Sequence, residues 1–247
     1  MIIANWKCNG SKAMIIEWFN NFSLNCKEIH KTFVGIAPPS IFIENIHNII
    51  SSNFEEINIG SQDIDISSGA RTGAISSEMI IDFDCKFSII GHSERREFFN
   101  ESNKDIKQKI LNIANKTKTI LCIGETFEEN KKNLTKEVLI NQLEVIKDIH
   151  FDDSLIIAYE PVWAIGSGNT PSPDKINEIH KFVKDVVQSF TGNSSIPSVI
   201  YGGSVSEDNA ESFFKEEFVD GALIGGASLD GTQFAKIINI YNGIKLK

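Results

Sequence analysis

Leu155-Ile156-Ile157-Ala158-Tyr159-Glu160-Pro161-Val162-Trp163-Ala164-Ile165-Gly166-Ser167-Gly168 is the stretch on which the architecture turns. Its first five residues are apolar without alternation, the pattern of a strand covered on both faces in a parallel sheet. Glu160 then stands before a proline, which holds it extended rather than helical. Seven further short runs share this form, at 2–5, 33–37, 57–61, 87–91, 119–124, 198–202 and 221–225, each closing on or beside Gly, Asn, Glu or Pro. The segments between them are long enough for crossover helices, and no Ser/Gly/Pro-rich linker interrupts them. Eight strand-plus-helix units predict an α/β protein: one parallel eight-stranded (β/α)8 barrel, a single domain over 1–247. A doubly wound open sheet is the alternative. Its phosphate turn would read GxGxxG after the first strand, where this chain has Asn5-Trp6-Lys7-Cys8-Asn9-Gly10.

A length of 247 residues accommodates such a barrel, and 41% hydrophobic with 23% charged residues is an ordinary globular composition. The start of the chain, Met1-Ile2-Ile3-Ala4-Asn5-Trp6-Lys7, has no long apolar signal region, and no run approaches the roughly 18 apolar residues of a membrane span. Four irregularly spaced cysteines, Cys8, Cys26, Cys85 and Cys122, make no CxxC, so neither a zinc site nor a disulfide framework is expected. A cytoplasmic, reduced protein follows. The net charge of −9 argues against nucleic acid and anionic membranes as partners. It also repels an anionic ligand, so any phosphate site needs a local cation and a cluster of backbone N–H groups.

In a barrel, chemistry sits at the carboxyl ends of the strands. At the first, strand alternation places Asn5 and Lys7 on one face and Trp6 on the other; a solvated lysine is the competing reading. At the fourth, Gly91-His92-Ser93-Glu94-Arg95-Arg96 runs into a helix start with Ser93 as its expected N-cap. The helix dipole there disfavours a charged imidazole, although a histidine at such a turn can equally be structural. At the sixth, Glu160 is the general-base candidate. The apolar loop after it, ending in Gly166 and Gly168, suits a lid that excludes water, or else plain packing. Glycine turns Tyr201-Gly202-Gly203-Ser204-Val205 and Ile224-Gly225-Gly226-Ala227-Ser228 follow the last two strands, where barrels bind phosphate.

These five strings, in this order and spanning the chain, resemble the motifs of the triosephosphate isomerase family. The resemblance implies interconversion of dihydroxyacetone phosphate and D-glyceraldehyde 3-phosphate through an enediolate, in glycolysis and gluconeogenesis, with no cofactor and no metal. It makes Glu160 the base and neutral His92 the hydrogen-bond donor to the enediolate oxygens. Lys7 and Asn5 would stabilise developing charge, and Glu94 would organise the site. Neutral histidine and loop closure are known properties of the family, carried over with the resemblance. Phosphate would be held around Gly166, Ser204, Gly225 and Gly226, with Lys7 and Asn5 nearby. The resemblance also implies a homodimer in which Thr72, on the loop Ser68-Gly69-Ala70-Arg71-Thr72-Gly73-Ala74, approaches the partner's Asn5.

Three departures from the family pattern stand out. Ala74 replaces a common Glu that anchors an Arg of the His-Ser-Glu-Arg-Arg segment, so that anchor is missing or replaced. Asp63 replaces Asn, and Ser167-Gly168-Asn169 replaces Thr-Gly-Lys at the far end of the lid, both read as affecting closing rates. Two other functions stay open: an aldolase-like lyase with Lys7 as Schiff-base nucleophile, and an inactive phosphate-binding barrel.

Overall fold

Eight strands pair in sequence order, all parallel, and the first closes on the last through Ile2–Ala222, Ile3–Leu223 and Ala4–Ile224. They are β1 Ile2–Asn5, β2 Val34–Ala37, β3 Ile57–Ser61, β4 Phe87–Ile90, β5 Lys118–Ile123, β6 Leu155–Tyr159, β7 Ser198–Tyr201 and β8 Ala222–Ile224. Around them lie α1 Lys12–Asn25, α2 Ile43–Asn53, α3 Ser77–Asp82, α4 Ser93–Phe98, α5 Asn103–Ile113, α6 Phe127–Lys131, α7 Thr135–Leu143, α8 Pro173–Thr191, α9 Ala210–Phe214 and α10 Gly231–Lys245. The structure is a computed structural model that describes residues 1–27, 29, 31–165, 170–191 and 196–246. The expected (β/α)8 barrel is therefore observed, and the open doubly wound sheet is excluded by the β1–β8 pairing.

Four strands, β4, β5, β7 and β8, stop one residue short of the glycine at which they were expected to end, and for three of them the cause is local. Gly91 has φ +70° and Gly124 lies against the backbone of Glu160, so each belongs to the turn rather than the ladder. β8 ends at Ile224, where Gly225 already caps a short 3-10 turn over Gly226–Leu229.

Strand alternation separates two cores. Ile3, Phe87, Ile89, Ile120, Cys122, Ile156, Ala158, Ile200 and Leu223 pack inside the barrel, while their neighbours Ile2, Ala4, Ile90, Leu121, Ile157 and Ile224 face the helices. Phe87 fills the space left by the missing side chains of two neighbouring strands. A Cβ at Gly35 or Gly60 would come within 2.5 Å of its ring. The same parity carries upward: after Ile3 the next inward position is Asn5, and after Ile156 and Ala158 it is Glu160. The fold thus delivers a carboxamide and a carboxylate to the mouth by the same period that fills the interior.

Several helices start where the sequence supplies caps. Ser11 accepts from the Met14 N–H at α1, Ser102 and Asp105 form a reciprocal capping box at α5, and Asp230 caps α10. Trp18 of α1 donates to Ser228 O at 2.8 Å, fastening the outer layer to the turn after β8.

On α8, His180 is fully buried, edge-on to Tyr159 with ring centroids 6.0 Å apart, and shares a 3.2 Å hydrogen bond between Nδ1 and Phe218 O. Its Nε2 has no partner among the described atoms, and burial pushes its pKa down to about 3. The fold therefore favours the neutral ring. That contribution is complete above the unfolded value near 6.5 and erodes as pH falls from there toward 3. We expect His180 to account for roughly 2 kcal/mol of stability loss between pH 7 and pH 5, and His180→Gln to remove that slope in urea titrations. An unchanged slope in the variant would place the titrating group elsewhere.

Candidate active site

Lys7 reaches the mouth by a route other than the expected alternation. β1 stops at Asn5, and Lys7 sits in the left-handed region at φ +49°, a conformation costly for a residue with a Cβ. Two neighbours hold it there. Its N–H donates to Asn5 Oδ1 at 3.0 Å, and Gln62 Nε2 donates to both Lys7 O at 2.9 Å and Ala37 O at 2.8 Å. Trp6 is driven into the outer core against Trp18, which leaves the lysine side chain over the barrel. Its Nζ lies 2.5 Å from Glu94 Oε1. An ammonium engaged in this ion pair is a poor amine nucleophile, which counts against the Schiff-base lyase.

The cap of α4 is His92 rather than the expected Ser93. The left-handed Gly91 turns the chain so that His92 takes an extended cap conformation at φ −52°, ψ 143°. Its Nδ1 then accepts the Glu94 N–H at 3.2 Å. A nitrogen that accepts must carry a lone pair, so the ring proton resides on Nε2, which points 3.1 Å from Glu160 Oε1. The Ser93 N–H donates to the other oxygen, Glu160 Oε2, at 3.2 Å.

Glu160 is almost wholly buried, and its N–H extends the ladder to Ile123 O at 2.7 Å. Two glycines make room for it. A Cβ at Gly124 would fall 1.7 Å from Glu160 O, and one at Gly202 would fall 2.6 Å from Glu160 Cγ. Burial pushes the Glu160 carboxyl up, but His92, the Ser93 N–H and Lys7 outweigh it and hold the group below the ordinary carboxylate value. For His92, burial opposes charge while Glu160 and Glu94 favour it, and charge and burial alone leave its pKa raised. The backbone geometry opposes that rise. A second proton on Nδ1 would set its N–H against the Glu94 N–H, so the neutral ring, protonated on Nε2 alone, is the one this turn accepts.

Asn5, Lys7, His92, Glu160, Ser204, Gly225 and Gly226 line one cavity of about 260 Å³. Glu94 stands at its edge through Lys7. Lys7 is the one cation among the described lining residues, and it lies close to the last turn: a Cβ on Gly225 would be 3.3 Å from its Cε. Gly226 faces open space. Ser204 Oγ donates to Ala164 O at 2.8 Å, joining the β7 turn to the apolar stretch after Glu160. Gly166, with Ser167 and Asn169, lies outside the described residues.

Thr72 is exposed and lines a different cavity, with Ala74, Asp63, Arg95 and Phe99, so a single chain does not bring it to Asn5. Asp63, read as affecting closing rates, pairs with Arg95 and Lys109 behind α4. Two supporting residues went unread in the sequence. Gln62 is one, as above. The other is Glu125, fully buried, which accepts from Tyr159 Oη at 3.0 Å, Trp163 Nε1 at 2.9 Å and Asn130 Nδ2 at 3.1 Å. Its place two residues after the end of β5 was the available signal. None of the four cysteines is joined in a disulfide. Among the described residues no group of three or more His, Cys, Asp or Glu is arranged to hold a metal, and no helix is long and apolar enough to cross a membrane.

Residues 1–241 match the family model described as triosephosphate isomerase. Among relatives, the chain is 40% identical to a triosephosphate isomerase of Baumannia cicadellinicola subsp. Homalodisca coagulata, with 96% of this chain and 95% of that protein covered. It is 40% identical to one from Blochmanniella floridana, covering 98% and 96%, and 35% identical to one from Legionella pneumophila (strain Lens), covering 98% of each. A closed parallel barrel, a buried glutamate hydrogen-bonded to a histidine, and likeness over nearly the whole length agree: the chain belongs to the triosephosphate isomerase family.

Proposed function

We propose that this chain interconverts dihydroxyacetone phosphate and D-glyceraldehyde 3-phosphate by moving a proton between adjacent carbons through an enediolate. The observation that carries this is the 3.1 Å contact between Glu160 and His92 at the wall of a cavity that also holds one lysine and two glycine turns. Both Glu160 oxygens are engaged in the unliganded site, so reaction begins when the carboxylate leaves His92 and Ser93 for the substrate carbon. That departure frees Nε2–H to donate to the substrate oxygens. It also removes the larger of the two charges that raise His92, so that burial and the Glu94 N–H need oppose only the Glu94 carboxylate to keep the ring neutral. A neutral donor stabilises an enediolate without surrendering its proton as readily as an imidazolium would.

Lys7 and the turns at Ser204, Gly225 and Gly226 supply the local attraction that an acidic protein needs for a phosphate ester. Pro161-Val162-Trp163-Ala164-Ile165 begins the lid, with Trp163 fastened to Glu125 and Ala164 to Ser204. Closure over the intermediate excludes water and protects the enediolate from losing phosphate. On this reading residues 1–247 work as one domain, in the cytoplasm, and as a homodimer. Exposed Phe98, Phe99, Ile41 and Met79 offer apolar area for a second copy, whose Thr72 would approach Asn5.

The direct test is a coupled assay converting glyceraldehyde 3-phosphate to dihydroxyacetone phosphate with chelator present. Fast turnover is expected, and a folded but inactive protein would favour the inactive phosphate-binding barrel. Glu160→Gln should keep phosphate-ester affinity while lowering kcat by roughly 10²–10⁴, the usual range for a general base; near-parental turnover would remove Glu160 from that role. Gly226→Asp meets no steric obstacle, so its carboxylate should act through charge alone. KM is expected to rise by roughly tenfold or more with kcat little changed, since like charges a few ångströms apart repel by more than about 1.4 kcal/mol in such a site. An unaltered KM would take the β8 turn out of the phosphate site.

A further inference from the structure

Behind α4, on the side away from the catalytic cavity, four charged side chains form a closed ring. Asp63 follows β3, Arg95 lies on α4, Glu101 stands in the turn between α4 and α5, and Lys109 lies on α5. Arg95 Nε is 2.8 Å from Asp63 Oδ2 and 3.3 Å from Glu101 Oε1. Lys109 Nζ is 2.7 Å from Asp63 Oδ1 and also contacts Glu101 Oε1. The side chains of Lys109 and Glu101 are at most 5% exposed, and two acids balance two bases, as burial requires.

The ring is joined to the catalytic turn by backbone. Arg95 follows Glu94 directly, its N–H donates to His92 O at 2.8 Å, and its own carbonyl accepts the Glu101 N–H at 3.2 Å. Whatever holds the Arg95 side chain therefore holds the turn in which the Glu94 N–H meets His92 Nδ1. Among the described contacts, Asp63 alone connects that guanidinium to a barrel strand. The loop 68–74 faces the same region, since Ala74, Arg95 and Asp63 line one cavity of about 470 Å³. At position 74 it brings only a methyl group there, beside the uncharged Thr72 and Gly73, while its Arg71 pairs with Asp65.

We propose that Asp63 is a positioning residue for His92 and Glu94: its carboxylate, acting through Arg95, fixes the first turn of α4 on the end of β3 and is needed for full turnover. This rests on the isomerase reading, but it has a readout that does not depend on activity. Asp63 supplies from the barrel wall the anchor that a longer acidic side chain at position 74 could supply from the loop.

Burial and the neighbouring Glu101 push the Asp63 pKa up to about 6, against the opposing pull of Lys109 and Arg95. These three are the charged groups that face it, from the turn, from α5 and from α4; Asp65 and Arg71 of the loop are engaged with each other. The anchor is thus charged at pH 8 and loses its charge as pH falls through 6.

The test compares the parent with Asp63→Asn, which keeps the shape and removes the charge. At pH 8 kcat should fall about tenfold with KM within twofold, a loss in geometry rather than phosphate binding. The ratio of parent to variant kcat should shrink below pH 6, where the parent too is uncharged at 63. Adding Ala74→Glu to Asp63→Asn should restore most of the lost kcat. Parental kcat in Asp63→Asn at pH 8, or a deficit identical at pH 5 and pH 8, would overturn the proposal. In the parent alone, the hydrogen-exchange protection factor of the Glu94 amide should fall as pH passes below 6. Constant protection from pH 8 to pH 5 would overturn it independently of whether the variant folds or the enzyme turns over.

Discussion

The hydrogen bond from the Glu94 N–H to His92 Nδ1 is the constraint on which the rest of the site depends. It assigns the ring proton to Nε2, aims that proton at Glu160 and opposes a second one. Every feature around it serves to hold it. The left-handed Gly91 makes His92 the cap, Arg96 Nε ties back to Gly91 O at 2.9 Å, and Arg95 is anchored through Asp63. A six-residue helix has little stability of its own, so α4 depends on these tertiary ties for a rigid first turn.

The barrel contributes in a different manner. Its interior is filled by alternate residues of each strand, and the same alternation, continued past the last filled layer, projects Asn5 and Glu160 into the mouth. Glycines are then needed wherever a catalytic group comes close to a neighbouring strand. Gly124 and Gly202 leave space for Glu160, and Gly225 leaves space for Lys7. Among the described non-glycine residues with positive φ, Lys7 alone is neither Asn nor Asp, and its left-handed backbone is held by Asn5 and Gln62. That is where this acidic protein places the one cation among the described residues lining the cavity.

Much of this was legible in the sequence because it followed from periodicity and punctuation. Doubly covered strands such as Leu155–Tyr159 announced the parallel barrel, and polar residues at strand ends announced Asn5, His92 and Glu160. The reasons were less legible than the residues. Lys7 was placed correctly by an alternation that the chain does not use there, since a left-handed residue cannot be seen in a strand pattern. His92 displaced Ser93 as cap because a side-chain ring can accept where a hydroxyl was expected, and only the φ of Gly91 decides between them. Glu125 and Gln62 were missed because their work is to hold others, which needs three-dimensional contacts to recognise. The effect of Asp63 was read as one on closing rates, rather than on Arg95, for the same reason.

One measurement bears most directly on this account: the ¹⁵N chemical shifts of the His92 ring in the free protein at about pH 7.5. The geometry predicts a neutral ring, with an acceptor-type, unprotonated Nδ1 and a protonated Nε2. Two protonated nitrogens at that pH would show an imidazolium paired with Glu160, and would contradict the claim that the Glu94 N–H sets the protonation state on which the catalysis depends.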